Sequence, residues 1–328
     1  MRTDHELEQG IDEEQPAEAD GDDRVQANVG LRYTLSQVRR DTTARIGLYV
    51  VFLVALVAAF TSFDYYVMDY ALAEQFLSHP ERDPDNPQRL LPPPGFENQF
   101  GSGTWSHPLG TDQRGRDILV RLIYGTRIAI TAGFLAAFIG FVGGTVVGAV
   151  SGYYGGWVDD VLQRIMETIY AIPFLVLIIA FMTAFGQNLM FAMIGIGIIS
   201  MPVFNRLIRS RVVSVREEEY IKAARASGLK DRTIIFRYVI PNSFAPVLVQ
   251  GTLQIGVAIL AIAGLSFLGF GVQPPTPEWG QMLANSRDVM IPNPWFSIWP
   301  GIAILITVVA FNTFGDGLQD ALDPRINN

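Results

Sequence analysis

The chain has 328 residues, of which 49% are hydrophobic and only 17% charged, with a mean hydropathy of +0.26; this excludes an ordinary soluble globular protein. Its net charge of -8 is unevenly placed, since ten of the 32 acidic residues fall within the first 23 positions and long later stretches carry none. There is no cysteine, so disulfides, thiolate metal sites and cysteine nucleophiles are excluded as well.

Residues 1–38 hold those acids (Asp4, Glu6, Glu8, Asp12 to Glu14, Glu18, Asp20, Asp22 and Asp23) and almost no apolar content. Such a segment buries too little surface to order itself, and it reads as a solvated, disordered cytoplasmic tail. It lacks a basic region followed at once by an apolar stretch and a small-residue cleavage site, so it is not read as a signal peptide.

A helix needs about 20 apolar residues to cross the hydrocarbon layer, and lipid offers no partner for backbone groups, so charge-free windows mark the spans. The 18 uncharged residues between Arg45 and Asp64 predict a first span, within residues 39–63. The proline-rich stretch from Pro80 to Pro94 excludes continuous helix in the following loop, 64–127. Near its end, Ile118, Leu119, Leu122 and Ile123 stand at helical spacing, as a short interfacial helix or as an early extension of the next span. The 31 uncharged residues between Arg127 and Asp159 predict the second span. The window Thr168 to Asn205 is too long for one helix and is broken at Gly186, Gln187 and Asn188, which predicts a hairpin of two spans. A fifth span is expected from about Pro246 to Phe270, ahead of Pro274, Pro275 and Pro277, and a sixth from about Ile298 to Phe314, preceded by the interfacial aromatics Trp295 and Trp299.

Arginine and lysine near span ends set orientation. Arg39, Arg40 and Arg45 precede the first span, and the connection between the fourth and fifth carries nine basic residues against four acidic ones. Both place the amino terminus and the connection 206–241 in the cytoplasm, and six crossings return the carboxyl terminus there. The basic run from Arg114 to Arg127, on the outer side, opposes this assignment.

Gly140, Gly144, Gly148, Gly152 and Gly156 recur every four residues. On a helix they draw a ridge with little side chain, either for close packing within the subunit or as a surface on which helices slide. No Asp, Glu, Lys, Arg or His falls inside a predicted span, which argues for energy delivered from outside the membrane; sodium sites built from backbone carbonyls escape this test. No phosphate-binding GxxxxGK[ST] loop is present, so the chain is not itself the nucleotide hydrolase. No catalytic, cofactor or metal residue is assigned.

The segment RSRVVSVREEEYIKAARASGLKDRTIIFRYVIPN is the most informative. Strong helix formers run to Ser227, with Glu218 and Lys222 as a possible i,i+4 pair. Gly228 supplies a left-handed helix stop, Asp231 a cap for a second, shorter helix, and Pro241 the end of that helix. Two helices joined by a tight turn would project a mostly basic knob with no catalytic group. A docking surface is the natural reading, and a plain connecting loop the alternative.

This segment resembles the coupling loop of permease subunits of bacterial and archaeal ABC importers, whose pattern is Glu-Ala-Ala, three residues, Gly, then a longer gap to Leu-Pro. Ala223, Ala224 and Gly228 stand at the required spacing, and Pro241 follows Ile240. Lys222 replaces the usual Glu, so one polar contact to the ATPase differs, with Glu219 one turn earlier placed to compensate. The stretches HPLGTDQRGRDILVRLIYGTRIAI from His107 and LSFLGFGVQPPTPEWGQMLANSRD from Leu265, with one span, a long loop, then five spans, are similar to the C-type permease of the oligopeptide, dipeptide and nickel importers. The resemblance covers about residues 31–328.

It implies an all-α integral membrane protein of six transmembrane helices with the type I ABC importer permease fold, its core over 128–328. It also implies a B-type permease partner, two cytoplasmic ATPase subunits that carry ATP and Mg, an extracytoplasmic binding protein, and no nucleic acid. The coupling surface would be Glu219, Lys222, Ala223, Ala224, Arg225, Gly228 and Pro241, with Gly140, Gly144, Gly148 and Gly152 packing helices. Peptide is the expected solute; nickel or sugar, a stand-alone secondary carrier, and a membrane anchor that only recruits partners are the alternatives.

Overall fold

A computed structural model describes residues 41–85 and 87–322, so the readings on the acidic tail, on Arg39 and Arg40 and on the extreme carboxyl terminus lie outside the described residues. Helix α1 runs over Thr42–Val67 and starts where the Asp41 carboxylate accepts the Thr43 N–H at 2.9 Å. Its 26 residues span about 39 Å, more than the hydrocarbon layer. Phe52, Leu53, Leu56 and Phe63 stand more than half exposed along it, which is tolerable only where the solvent is lipid. The opposite face packs on the last helix, α11 (Trp295–Leu322). Gly47 and Gly317 let the two backbones close up there, because a Cβ on Gly47 would lie 2.4 Å from Thr313 Oγ1 and one on Gly317 would lie 2.0 Å from Ala44 Cβ.

Beyond α1, the short helix α2 (Ala71–Phe76) is held by buried Asp64, which accepts the N–H groups of Leu72 and Ala73 at 3.0 and 3.2 Å. Among the described residues of 77–117 the regular structure is a hairpin of two-residue strands, β1 (Glu97–Asn98) with β2 (Gly101–Ser102), and an isolated bridge between Thr111 and Asp117. Helix α3 then runs unbroken over Ile118–Tyr154, capped by the Asp117 carboxylate on the Val120 N–H. The Ile118–Ile123 stretch is therefore the extension of the second span and not a separate interfacial helix. At Gly155, with φ +65°, α3 stops. Gly156 lies past this break and off the glycine ridge, contrary to the four-residue pattern.

The third span differs from expectation. In its place stand an amphipathic helix α4 (Gly156–Ala171) and an apolar helix α5 (Phe174–Phe185), bent by 94° where Pro173 removes a donor and bars continuous helix. At 12 residues, α5 reaches only about 18 Å and cannot cross alone. Among the described residues there are thus five full-length apolar helices, with the bent pair as the sixth crossing only if its halves count as one. Helix α6 (Leu189–Val215) opens on an Asn188 cap, and α7 (Glu219–Ala226) and α8 (Asp231–Ile234) follow.

Pro241 does not end the shorter helix. A π-helical turn, Ile235–Val239, joins α8 directly to α9 (Ile240–Phe267), and Pro241 stands in the first turn of α9, where its missing N–H is least costly. The Asn242 side chain donates to the Tyr238 carbonyl at 2.6 Å. After α9 come α10 (Trp279–Ser286) and α11, in whose first turn Trp295 and Trp299 stack. The bundle centres on α3, which packs most extensively on α6 and also on α9 and α1; α11 closes the gap between α1 and α9.

The helices overrun the charge-free windows, so ionisable groups do lie within them. Asp64, Arg121, Arg127, Asp159, Arg209 and Asp316 all sit in helices, toward their ends.

Candidate functional site: the helical knob

Helix α7 is short and buried along one face only. Ile221 is fully buried and Ala224 nearly so, in one apolar cluster with Tyr153 of α3, Phe204, Ile208 and Val212 of α6, and Ile234, Ile235 and Val239. Placing Ile221 and Ala224 three apart puts them on one face, so the other face, with Glu219, Lys222, Ala223 and Arg225, is left exposed. Ala223 and Ala226 give this face two small side chains among the charges.

The turn that ends α7 has a defined geometry. Gly228 takes φ +78°, its N–H donates to the Arg225 carbonyl at 3.0 Å, and the Leu229 N–H donates to the Ala224 carbonyl at 3.3 Å. This is the Schellman pattern, which satisfies the terminal carbonyls and requires a left-handed residue. Pro241 is exposed, two residues past the π turn Ile235–Val239.

Two sequence readings are corrected here. Asp231 does not cap α8, whose cap position is Lys230 with no side-chain bond. It sits in the first turn, where its charge suits the helix dipole, and accepts the Tyr153 hydroxyl at 2.7 Å. Lys222 faces Glu217 at 3.9 Å and not Glu218, a loose exposed pair of little energetic weight.

Tyr153 was missed by sequence reading, and it ties α3 to the knob: besides Asp231, it carries the Arg225 guanidinium over its ring at 5.2 Å. Hydrogen bonding with the Tyr153 side chain holds the Arg225 pKa above its ordinary value. Arg216 adds a bond to the Gly152 carbonyl at 3.0 Å. Behind the knob, Asp159 of α4 accepts Arg209 Nε at 2.7 Å and the Ser151 hydroxyl at 2.8 Å, and Gln163 joins Asn205 at 2.9 Å. Apart from Ser151 with Asp159, these pairs join elements tens of residues apart, so local spacing carries no sign of them.

The ridge of Gly140, Gly144, Gly148 and Gly152 lies against α6. Cβ atoms on these glycines would come within 2.3 to 3.0 Å of Ser200, Met201, Ile208 and the Arg209 carbonyl, respectively. The knob therefore rests on two helices whose backbones touch.

At the far end of the bundle the segments 77–117 and 268–294 interlock. Trp279 Nε1 donates to the Leu122 carbonyl at 2.9 Å, and Arg121 donates to the carbonyls of Pro80 and Pro275 at 2.6 and 3.0 Å. Asp112 pairs with Arg116 at 2.8 Å and approaches Arg121 at 3.6 Å. Of the arginines that oppose the expected orientation, Arg116 and Arg121 are thus committed to local partners, while Arg114 is exposed and lies 3.9 Å from Asp83.

Comparison with known proteins places this arrangement. Residues 144–328 match the family described as "Binding-protein-dependent transport system inner membrane component". The chain is 38% identical over 297 residues to a dipeptide transport system permease protein of Alkalihalophilus pseudofirmus, covering 90% of each chain. It is 42% identical over 231 residues to a glutathione transport system permease protein of Escherichia coli O157:H7, covering 70% of this chain and 76% of that one. In fold it is similar to an inward-facing structure of the MetNI methionine ABC transporter, with TM-score 0.52 and 19% identity over 63% of this chain and 98% of that one.

Proposed function

This chain belongs to the family of binding-protein-dependent transport system inner membrane components, and from that premise we propose that it is the C-type half of the passage in an ATP-driven peptide importer. It is an integral membrane protein and a permease. Peptide is the solute supported by relatives that carry dipeptides and glutathione, itself a small peptide. A B-type permease completes the passage, two cytoplasmic ATPase subunits binding ATP and Mg press on the knob, and an extracytoplasmic binding protein delivers the load to the interlocked far end. The chain itself hydrolyses nothing and holds no cofactor.

The observation that carries this reading is the two-faced knob: one face of α7 is sealed into α3, α6 and the π turn, and the other is open. A push on Ala223 or Arg225 is passed to α3 through Tyr153 and to α6 through Ile221, since packed elements move as rigid bodies. Motion of the α3–α6 pair against α1, α9 and α11 then opens one end and closes the other. The exposed charges of α7 set the contact with the ATPase, Lys222 in place of the family's Glu and Glu219 beside it.

In vesicles holding all subunits, dipeptide uptake is expected to require ATP and to stop when the ATPase subunits are left out. Uptake by this chain without an ATPase would make it a stand-alone carrier and sink the proposal.

A further inference from the structure

At the end of the bundle away from α7, a cavity of about 350 Å³ opens between the ends of α1 and α3, the turn before α6 and the segment after α9. This is within the size range of small-ligand sites. Its walls are formed by Arg127, Tyr65, Tyr66, Gln187, Asn188 and Gln273 among others.

Arg127 is only 6% exposed. Its guanidinium lies 3.5 Å from the centre of the Tyr65 ring and 5.7 Å from that of Tyr66. Its Nε is buried without a hydrogen-bond acceptor. Whereas Arg116 and Arg121 share Asp112, Arg127 has no ion pair among the described residues. Taking a cation out of water costs several kcal/mol unless an anion answers it, and ring faces offset only part of that. A guanidinium presents paired N–H groups matched to a carboxylate, and side-chain amides can both donate to and accept from peptide bonds.

We propose that Arg127 receives the terminal carboxylate of the transported peptide at the outer mouth of the passage, with Gln187, Asn188 and Gln273 bonding its backbone. This rests on the peptide-importer reading and adds the group by which the permease itself grips the solute. A phospholipid phosphate shares the anionic chemistry, but it brings no peptide bonds for the three amides.

The chain's lack of cysteine supplies the test. Gln273→Cys puts a single thiol in this chain at the cavity wall, and its modification can be read from the mass of this chain within the assembled complex. We expect an anionic methanethiosulfonate to be favoured over a cationic one, and Arg127→Gln to lower that ratio by about tenfold, the weight of one charge-assisted contact. Dialanine should protect the thiol and dialanine amide should not; Arg127→Lys should keep the charge ratio and lose part of the protection, because a bidentate grip needs the planar fork. The protection experiment keeps Arg127 native, so it stands even where the Gln variant fails to assemble. Equal protection by acid and amide, a ratio unmoved by Arg127→Gln, or a rate that follows vesicle phosphatidylglycerol and not dipeptide would each overturn the proposal. Labelling needs no turnover, so failure of ATP-dependent dipeptide uptake in the same vesicles would instead count against the importer reading.

Discussion

Gly228 turns on its φ of +78°, not on crowding, since a Cβ there would meet nothing within 4 Å. Substitutions should therefore rank by left-handed tolerance: Asn close to Gly, Ala worse, and Val worst, at about 1–3 kcal/mol for a strained β-branched residue. Stimulation of ATP hydrolysis by loaded binding protein should fall in that order, and a Val variant as active as wild type would separate the turn from coupling. A different residue-scale effect is expected at Glu278, which caps α10 by accepting the N–H groups of Gly280 and Gln281 at 2.9 and 2.7 Å. Burial pushes its carboxyl pKa up, against the downward pull of those donors and of Ser266. A raised folded-state value means that its contribution is complete below the ordinary value of 4.5 and is lost as pH rises through the folded one. Across that rise, the thermal midpoint of wild type should decline relative to Glu278→Gln; parallel pH profiles would count against a buried, perturbed carboxyl.

At the scale of elements, the glycine ridge makes its own prediction, because α3 and α6 are spaced by what a Cβ would strike. On Gly144 it would lie 2.4 Å from the Met201 carbonyl oxygen, which only backbone movement relieves. On neighbouring Gly143 it would lie 2.4 Å from Met201 Cε, the end of a flexible side chain. Gly144→Ala should lose about 1–3 kcal/mol and Gly143→Ala much less, read as thermal midpoints of the detergent-solubilised complex. Equal losses would mean that α3 and α6 are not fixed against each other. The five long helices were legible because uncharged runs of their length have few other uses, and the stop at Gly228 because a left-handed turn suits glycine. The bend before α5 was not: Pro173 lies inside an apolar window, and hydropathy does not distinguish a crossing helix from a half-length one. Pro241 misled because the π turn that precedes it depends on packing beneath Ile234 and Val239. Tyr153 and Arg127 gave no signal, since their partners Asp231 and Tyr65 are set by tertiary structure.

Orientation belongs to the whole molecule, and the structure sharpens the charge argument. Counting arginines alone leaves both ends basic. At the far end, however, Arg116 pairs with Asp112, Arg121 bonds two carbonyls and Arg127 stacks on Tyr65, while the exposed Arg82, Arg89, Arg114 and Arg287 stand among exposed Asp69, Glu74, Asp83, Asp85, Glu97 and Asp288. Around the knob, Lys222, Arg225, Lys230, Arg232 and Arg237 stand exposed. Positive charge that is free to meet water marks the cytoplasmic side, so the knob should be inside and the 77–117 and 268–294 segments outside. Single thiols can read this directly in a chain that has none: Ile291→Cys, at a position 97% exposed, should react with a membrane-impermeant maleimide in intact cells, and Ala226→Cys only after permeabilisation. The reverse pattern would put the knob out of reach of any ATPase and the Arg127 cavity on the wrong face to receive a delivered peptide.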